Sequence, residues 1–187
     1  MLYPKKINAK KADFIIKISI VISAIVAISL LLINNYTTPQ IRWARYCNAG
    51  IIYIWITVLY ALNRNVNLAS HLFIQMIATS ILCIYIDIST GFNAWSINIA
   101  IPIIIIIINI AMLILSIASY NNFTRYAFFQ LLIVILSSIP IFLIYERMIM
   151  NKSLSIVSTA VSGCNLVFSL IFHFQDIKSE LIRKFHM

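Results

Sequence analysis

The sequence predicts an all-α, polytopic membrane protein, a bundle of about six transmembrane helices with both ends in the cytoplasm. Three observations carry this. Hydrophobic residues make up 62% of the 187 and charged residues only 10%, against roughly half and a quarter in soluble domains. The mean hydropathy of +0.98 leaves more apolar surface than a water-exposed fold could hide. The polar residues collect in short clusters that separate six apolar runs of about 20 residues, the length needed to cross hydrocarbon. These runs are continuously apolar, whereas β-barrel strands alternate over about 10 residues, so a barrel is disfavoured.

A basic segment, 1–12, precedes the first run. The first helix is expected at 14–34, ending in Asn34-Asn35-Tyr36-Thr37-Thr38-Pro39, where the asparagines and proline favour a turn. This run is too long for a signal peptide and lacks a small-x-small cleavage pattern, which favours a retained helix. The second, 43–62, carries Trp43, Tyr46, Tyr53, Trp55 and Tyr60 and stops at Asn63-Arg64-Asn65. Its tyrosines recur every seven residues, the mark of a packed seam with interfacial anchors. The third, 70–89, closes at Ser89-Thr90-Gly91-Phe92-Asn93. The fourth, 97–119, contains the run Ile103 to Ile108, which is a poor helix former in water. Lipid obliges the backbone to satisfy its own hydrogen bonds, so helix is still expected. The fifth, 126–145, is read as one helix through Pro140, and the sixth, 153–174, completes a transmembrane domain spanning 13–174. A basic amphipathic tail, 175–187, follows.

The net charge of +9 is scattered between the apolar runs rather than gathered in a patch, so nucleic acid is not an expected partner. With the N-terminus inside, the cytoplasmic segments hold nine cations: Lys5, Lys6, Lys10, Lys11, Arg64, Arg125, Lys178, Arg183 and Lys184. The outer segments hold four, Arg42, Arg45, Arg147 and Lys152. This is the positive-inside asymmetry. Cys47, Cys83 and Cys164 are isolated, with no metal-ligand spacing, so neither zinc nor a disulfide framework is expected. No cofactor is expected either.

A charge at membrane depth costs about 2.5–3.5 kcal/mol on insertion scales, so each one is a candidate for function. Asp87 is the only acid well inside an apolar run, on a track with Gln75, Thr79 and Cys83 at four-residue intervals. It reads either as part of a polar path for a proton, cation or ligand, or as an interfacial carboxylate bonded to Ser89, Thr90 or the next loop's amides; the second reading is favoured. The sixth run carries Ser155, Thr159, Ser162, Asn165 and Ser169 on one face. Small polar residues let helices approach closely, at about 0.6 kcal/mol per hydrogen bond; the sharper alternative is the lining of a narrow polar path between the sixth helix and the track ending at Asp87. Asn109, near the middle of the fourth run, reads as an interhelical hydrogen-bonding residue, since an unpaired amide in hydrocarbon is expensive, and is otherwise a candidate for that path. Catalysis finds little support, because His71, His173 and His186 lie away from Asp87 and no HExxH, GxSxG, Walker or GxGxxG pattern occurs.

The segment from Asp87 to Asn98 (Asp87, Thr90, Gly91, Phe92, Trp95, Ser96 and Asn98, with Pro102 beyond) resembles the pattern D-x-x-T-G-F-x-x-W-S-x-N of an uncharacterised family of six-helix membrane proteins from Gram-positive bacteria. The tail, with Arg183, Lys184, Phe185 and His186 after Glu180, is similar to that family's ending, and Leu59-Tyr60 before Arg64-Asn65 fits its second helix and loop. The family is a domain of unknown function, so the resemblance implies a fold and no activity. Its members often carry an N-terminal zinc ribbon joined through a Tyr-Pro segment; this chain opens Met1-Leu2-Tyr3-Pro4, as expected of a ribbon-less member or an incomplete start. Physically, the motif is expected to form the outer corner between the third and fourth helices. Gly91 would reverse the chain at φ > 0, Trp95 would anchor at the interface, and Ser96 or Asn98 would cap the fourth helix.

The expected role is a non-enzymatic accessory, sensory or scaffold module of a bacterial cytoplasmic membrane. Its partners would be the bilayer, a cytoplasmic or membrane protein and a second copy of the chain. The alternative is a small-solute or ion transporter or channel using Asp87, Gln75, Thr79, Asn109, Ser162 and Asn165.

Overall fold

The computed structural model describes residues 9–62, 67–118, 123–145 and 152–172, with side chains described outside 9–13, 123–127 and 145. Several residues singled out above, among them Lys5, Lys6, Arg64, Arg147, His173 and the tail residues Arg183, Lys184, Phe185 and His186, lie outside the described residues. All regular structure among the described residues is helical: α1 (Ala9–Thr37), α2 (Ala44–Leu62), α3 (Leu68–Ser89), a π-helical turn (Ser96–Ala100) leading into α4 (Ile101–Ala118), α5 (Phe123–Ser137), α6 (Ile139–Tyr145) and α7 (Lys152–Phe172). Among the described residues, five stretches are long and apolar enough to cross a membrane: Phe14–Thr37, Ala44–Leu62, Leu68–Ser89, Ser96–Ala118 and Lys152–Ile171.

The chain divides into two units, 1–55 and 56–187, with the division inside α2. In the first unit α1 and the start of α2 run antiparallel, tied at both ends of their contact. The Trp55 indole N–H donates to Ser23 Oγ at 2.7 Å. At the turn, Asn34 Nδ2 donates to the carbonyls of Thr38 (2.8 Å) and Ile41 (2.7 Å), and Asn34 Oδ1 accepts from the Ala44 N–H at 2.9 Å. One amide therefore closes the turn and satisfies an orphan donor at the start of α2. The asparagine that reads as a turn former is also a cap.

In the second unit α4 is the most buried span and packs on α3, α5 and α7. The core runs from Ala69 and Met76 on α3 through Ile105, Ile108, Met112 and Leu115 on α4 to Ile133 on α5. The sequence of α4 explains this placement, since its isoleucines cover the whole circumference and suit a helix with neighbours on several sides. Phe73 and Phe129, centroids 6.0 Å apart, seal the same core. The end of α2 joins this unit through Thr57, whose hydroxyl donates to Gln75 Oε1 at 3.1 Å. Tyr60 also shares a hydrogen bond with Ser70 and stacks on His71.

The fifth span is not one helix. It breaks after Ser137 into α5 and α6, and the cause is Pro140, which removes a backbone donor and crowds the preceding turn. The Ile141 N–H turns to the Ser138 carbonyl at 3.1 Å, which leaves the Ser137 carbonyl without its helical partner. Thr159 Oγ1 on α7 donates to it at 2.6 Å. A polar residue of the sixth-span stripe thus repairs a broken backbone ladder, a compensation expected where water is excluded. Thr159→Val keeps the shape and removes the donor, and we expect a loss of about 1–2 kcal/mol in unfolding free energy, measured by thermal or denaturant unfolding in detergent. Thr159→Ser should recover most of it.

Candidate functional site

The buried polar residues fall into separate clusters. At the end of α3, Asp87 is fully buried. Its Oδ1 accepts from the Asn93 N–H at 3.0 Å, and its Oδ2 accepts from the Ser96 N–H at 3.0 Å and the Ser96 hydroxyl at 2.7 Å. The carboxylate sits at the C-terminal end of one helix, where a negative charge is unfavourable, yet it faces the donors at the start of the next, where it is favourable. It acts as a cap supplied by the preceding element. This is the arrangement in which a carboxylate bonds to its next loop's amides.

The loop it holds is strained. Gly91 has φ 104°, Phe92 φ 53° and Ala94 φ 57°. Two residues with a Cβ in the left-handed region cost about 1–2 kcal/mol each, and such strain persists only where the surroundings impose it. Thr90 contributes by donating its hydroxyl to the carbonyls of Ile86 and Asp87, both at 3.0 Å. The expectation that Ser96 or Asn98 caps the fourth helix is corrected: the Ser96 hydroxyl donates to Asp87, and Asn98 Nδ2 donates back to the Ala94 carbonyl at 2.7 Å. The fourth span instead begins with a widened turn in which the Ile101 N–H reaches Ser96 O, five residues back. Pro102 follows directly, so the widening falls where the ladder already lacks a donor. Trp95, at the head of this turn, is half-buried, while Phe92 is exposed.

The second cluster joins the middle of α4 to α7. Asn109 Nδ2 donates to Ser162 Oγ at 2.7 Å and to its own helix at Ile105 O, 2.9 Å. Asn165 Nδ2 donates to the backbone carbonyl of Asn109 at 2.8 Å and to its Oδ1 at 3.2 Å. The α7 residues Ser155, Ser158, Ser162, Asn165 and Ser169 are all buried, so the small-polar stripe is the packed face of that helix. A pocket of about 420 Å³ opens between α4 and α7, lined by Asn109, Asn165 and apolar side chains.

Of the six residues suggested for a polar path, the structure brings together Asn109, Ser162 and Asn165. Gln75 and Thr79 lie elsewhere on α3, with Gln75 accepting from Thr57 and Thr79 donating to the Gln75 carbonyl at 2.7 Å. Asp87 belongs to the corner. Asn109 lies thirteen positions beyond Ser96 along the helix, about 20 Å at 1.5 Å per residue, so the corner and the Asn109 cluster are distinct places. Sequence reasoning missed Gln130, which is 2% exposed and donates to Ser169 Oγ at 2.9 Å. A long amide amid apolar neighbours in the fifth run was the available signal. Among the described residues no group of three His, Cys, Asp or Glu side chains could hold a metal ion.

Neither the curated proteins nor the solved structures offer a match to the chain. A family model does match, over residues 3–187, and so takes in the Asp87–Asn98 corner, the α4–α7 cluster and the tail together. The chain therefore belongs to a family of unknown function, DUF6320.

Proposed function

We propose that the chain is a multi-pass protein of a bacterial cytoplasmic membrane, with both ends inside, that works as a non-enzymatic accessory, sensory or scaffold module. The observation that carries this reading is how the helices use their polar groups. Asp87 bonds within its own corner, Asn109 to Ser162 and Asn165, Gln130 to Ser169, and Gln75 accepts from Thr57. These contacts join neighbouring elements and hold a bundle together, as polar side chains do in membrane interiors. The alternative, transport of a solute or ion along a path near Asp87, needs polar groups in sequence along one route, whereas these clusters are about 20 Å apart along α4.

The membrane reading draws on the apolar spans and on the large apolar side chains they expose, among them Phe14, Ile15, Val21, Ile107, Ile114 and Ile171. The inside placement of the ends draws on the cation asymmetry. On this topology a fluorescent protein fused after Met187 lights up, and alkaline phosphatase fused within the Gly91–Asn93 corner is active.

The module reading is tested with tagged full-length chain extracted from its native membranes in mild detergent. Stoichiometric recovery of one protein partner, quantified by mass spectrometry against an unrelated multi-pass control, supports it. Solute flux into proteoliposomes that is lost in a folded Asp87 variant would overturn it in favour of transport.

A further inference from the structure

We infer that the turn between α1 and α2 holds one anionic phospholipid, its phosphodiester clamped by Arg42 and Arg45. The turn is a rigid frame. Asn34 ties the end of α1 to the carbonyls of Thr38 and Ile41 and to the Ala44 N–H, and the Trp43 indole N–H donates to Thr38 Oγ1 at 2.9 Å. Both arginines on this frame are exposed. The Arg45 N–H donates to the Arg42 carbonyl at 3.3 Å, so the two stand one turn apart, a spacing that sets Cβ atoms about 5–6 Å from each other.

Neither arginine has an acid to pair with among the described residues: Asp87 is the only acidic residue whose side chain is described, and it is held within its own corner. On the proposed topology both also lie outside, against the positive-inside bias, so a pair of cations there calls for a reason beyond orientation. Their depth supplies it. Of the two apolar spans that the turn joins, one ends at Thr37 and the other begins at Ala44, which puts 38–43 and the first turn of α2 at the level of the lipid phosphates. Tyr36, 85% exposed, and the half-buried Trp43 are of the residue types that collect at that level. Two cations are too few for the diffuse attraction of a polybasic segment, which takes about four to eight, and they match a single headgroup. A phosphodiester presents two anionic oxygens, and the planar guanidinium donates to such oxygens in pairs. A zwitterionic lipid would bring its own cation beside the arginines, so a headgroup of net negative charge, as in phosphatidylglycerol, is the partner selected. The inference rests on the membrane reading above and concerns the first hairpin, not the cytoplasmic ends.

The probe is phosphatidylglycerol carrying a photoreactive diazirine beside its ester linkages, with the same analogue of phosphatidylcholine as the matched neutral lipid. Full-length protein is labelled in phosphatidylcholine nanodiscs containing a trace of either probe, and the labelled peptides are mapped by mass spectrometry. A basic residue near an anionic lipid is worth about fivefold, or about 1 kcal/mol, so label on 38–47 should be about 25-fold higher with phosphatidylglycerol. Arg42→Gln/Arg45→Gln, at exposed positions, should melt with the parent and bring this ratio to about one, each single substitution should remove about fivefold, and Arg42→Lys/Arg45→Lys should keep most of it. A ratio near one in the parent, or a parent-like ratio in the double glutamine variant, would overturn the inference. So would loss of the phosphatidylglycerol label on adding inorganic phosphate at constant ionic strength, which would make the turn a site for a free anion. The labelling does not depend on which leaflet holds the turn. Inverted fusion activities beside an intact ratio therefore overturn the topology and sustain the lipid site, whereas the expected fusion activities beside a ratio near one overturn the lipid site alone.

Discussion

Asp87→Ala is expected to destroy more folded protein than any other single substitution in the chain. Alanine removes every acceptor at once from the Asn93 N–H, the Ser96 N–H and the Ser96 hydroxyl, and no water at that fully buried position can replace them. The second consequence is mechanical. Phe92 and Ala94 remain at positive φ only while those bonds hold the loop, so their strain is released as soon as the carboxylate goes, and the start of α4 loses its cap. Asp87→Asn keeps one oxygen but turns an NH2 group toward backbone donors, so it should be intermediate. Ser96→Ala removes one bond and leaves two, so it should be mildest. The readouts are the monodisperse fraction after detergent extraction and the melting temperature, and the expected order is Asp87→Ala below Asp87→Asn below Ser96→Ala. An Asp87→Ala protein melting within about two degrees of the parent would show that the corner stands without its carboxylate.

Asn109→Leu should have the next largest effect. It removes the donor to Ser162 and the side-chain acceptor of Asn165, while leucine matches the apolar residues around it and minimises the change in volume. Interhelical hydrogen bonds inside membranes average about 0.6 kcal/mol and reach about 1.7; because the substitution deletes a pair of such bonds, we expect a cost of about 1–2 kcal/mol. The Asn109 backbone carbonyl still accepts from Asn165, which limits the damage. The decisive measurement is a cycle with Ser162→Ala. If the Asn109–Ser162 bond stabilises the packing of α4 on α7, the two substitutions together cost less than their sum, whereas strict additivity would mean that they act independently.

Which features are legible in the sequence follows from the range of the interactions involved. Helix positions follow from local apolar runs, so five of the six expected spans have counterparts within a few residues, as in 70–89 against Leu68–Ser89. The fifth is not legible as two helices, because a proline in an apolar run permits either a kink or a break, and the outcome depends on what repairs the exposed carbonyl. Here that is Thr159, some twenty residues further on. The Asp87 corner is largely readable, since a carboxylate followed by Gly91 and a stretch of polar residues makes the loop's amides its nearest partners. The positive φ of Phe92 and Ala94 is not readable, because nothing in those side chains favours it and only the completed bond pattern imposes it. The stripe on α7 is visible as periodicity. That Asn109 reaches it, and that Gln130 reaches Ser169, depends on helix packing that no local pattern encodes.

The Asn34 clasp has a consequence for how the chain is made. Its three bonds reach no further than ten residues along the chain, and short-range contacts form early because closing a short loop costs little entropy. A ribosome adding about 5–20 residues per second delivers Trp55 several seconds before α7 exists. In that interval the first hairpin, as far as Trp55, can close on its own side chains before the remaining helices have been synthesised.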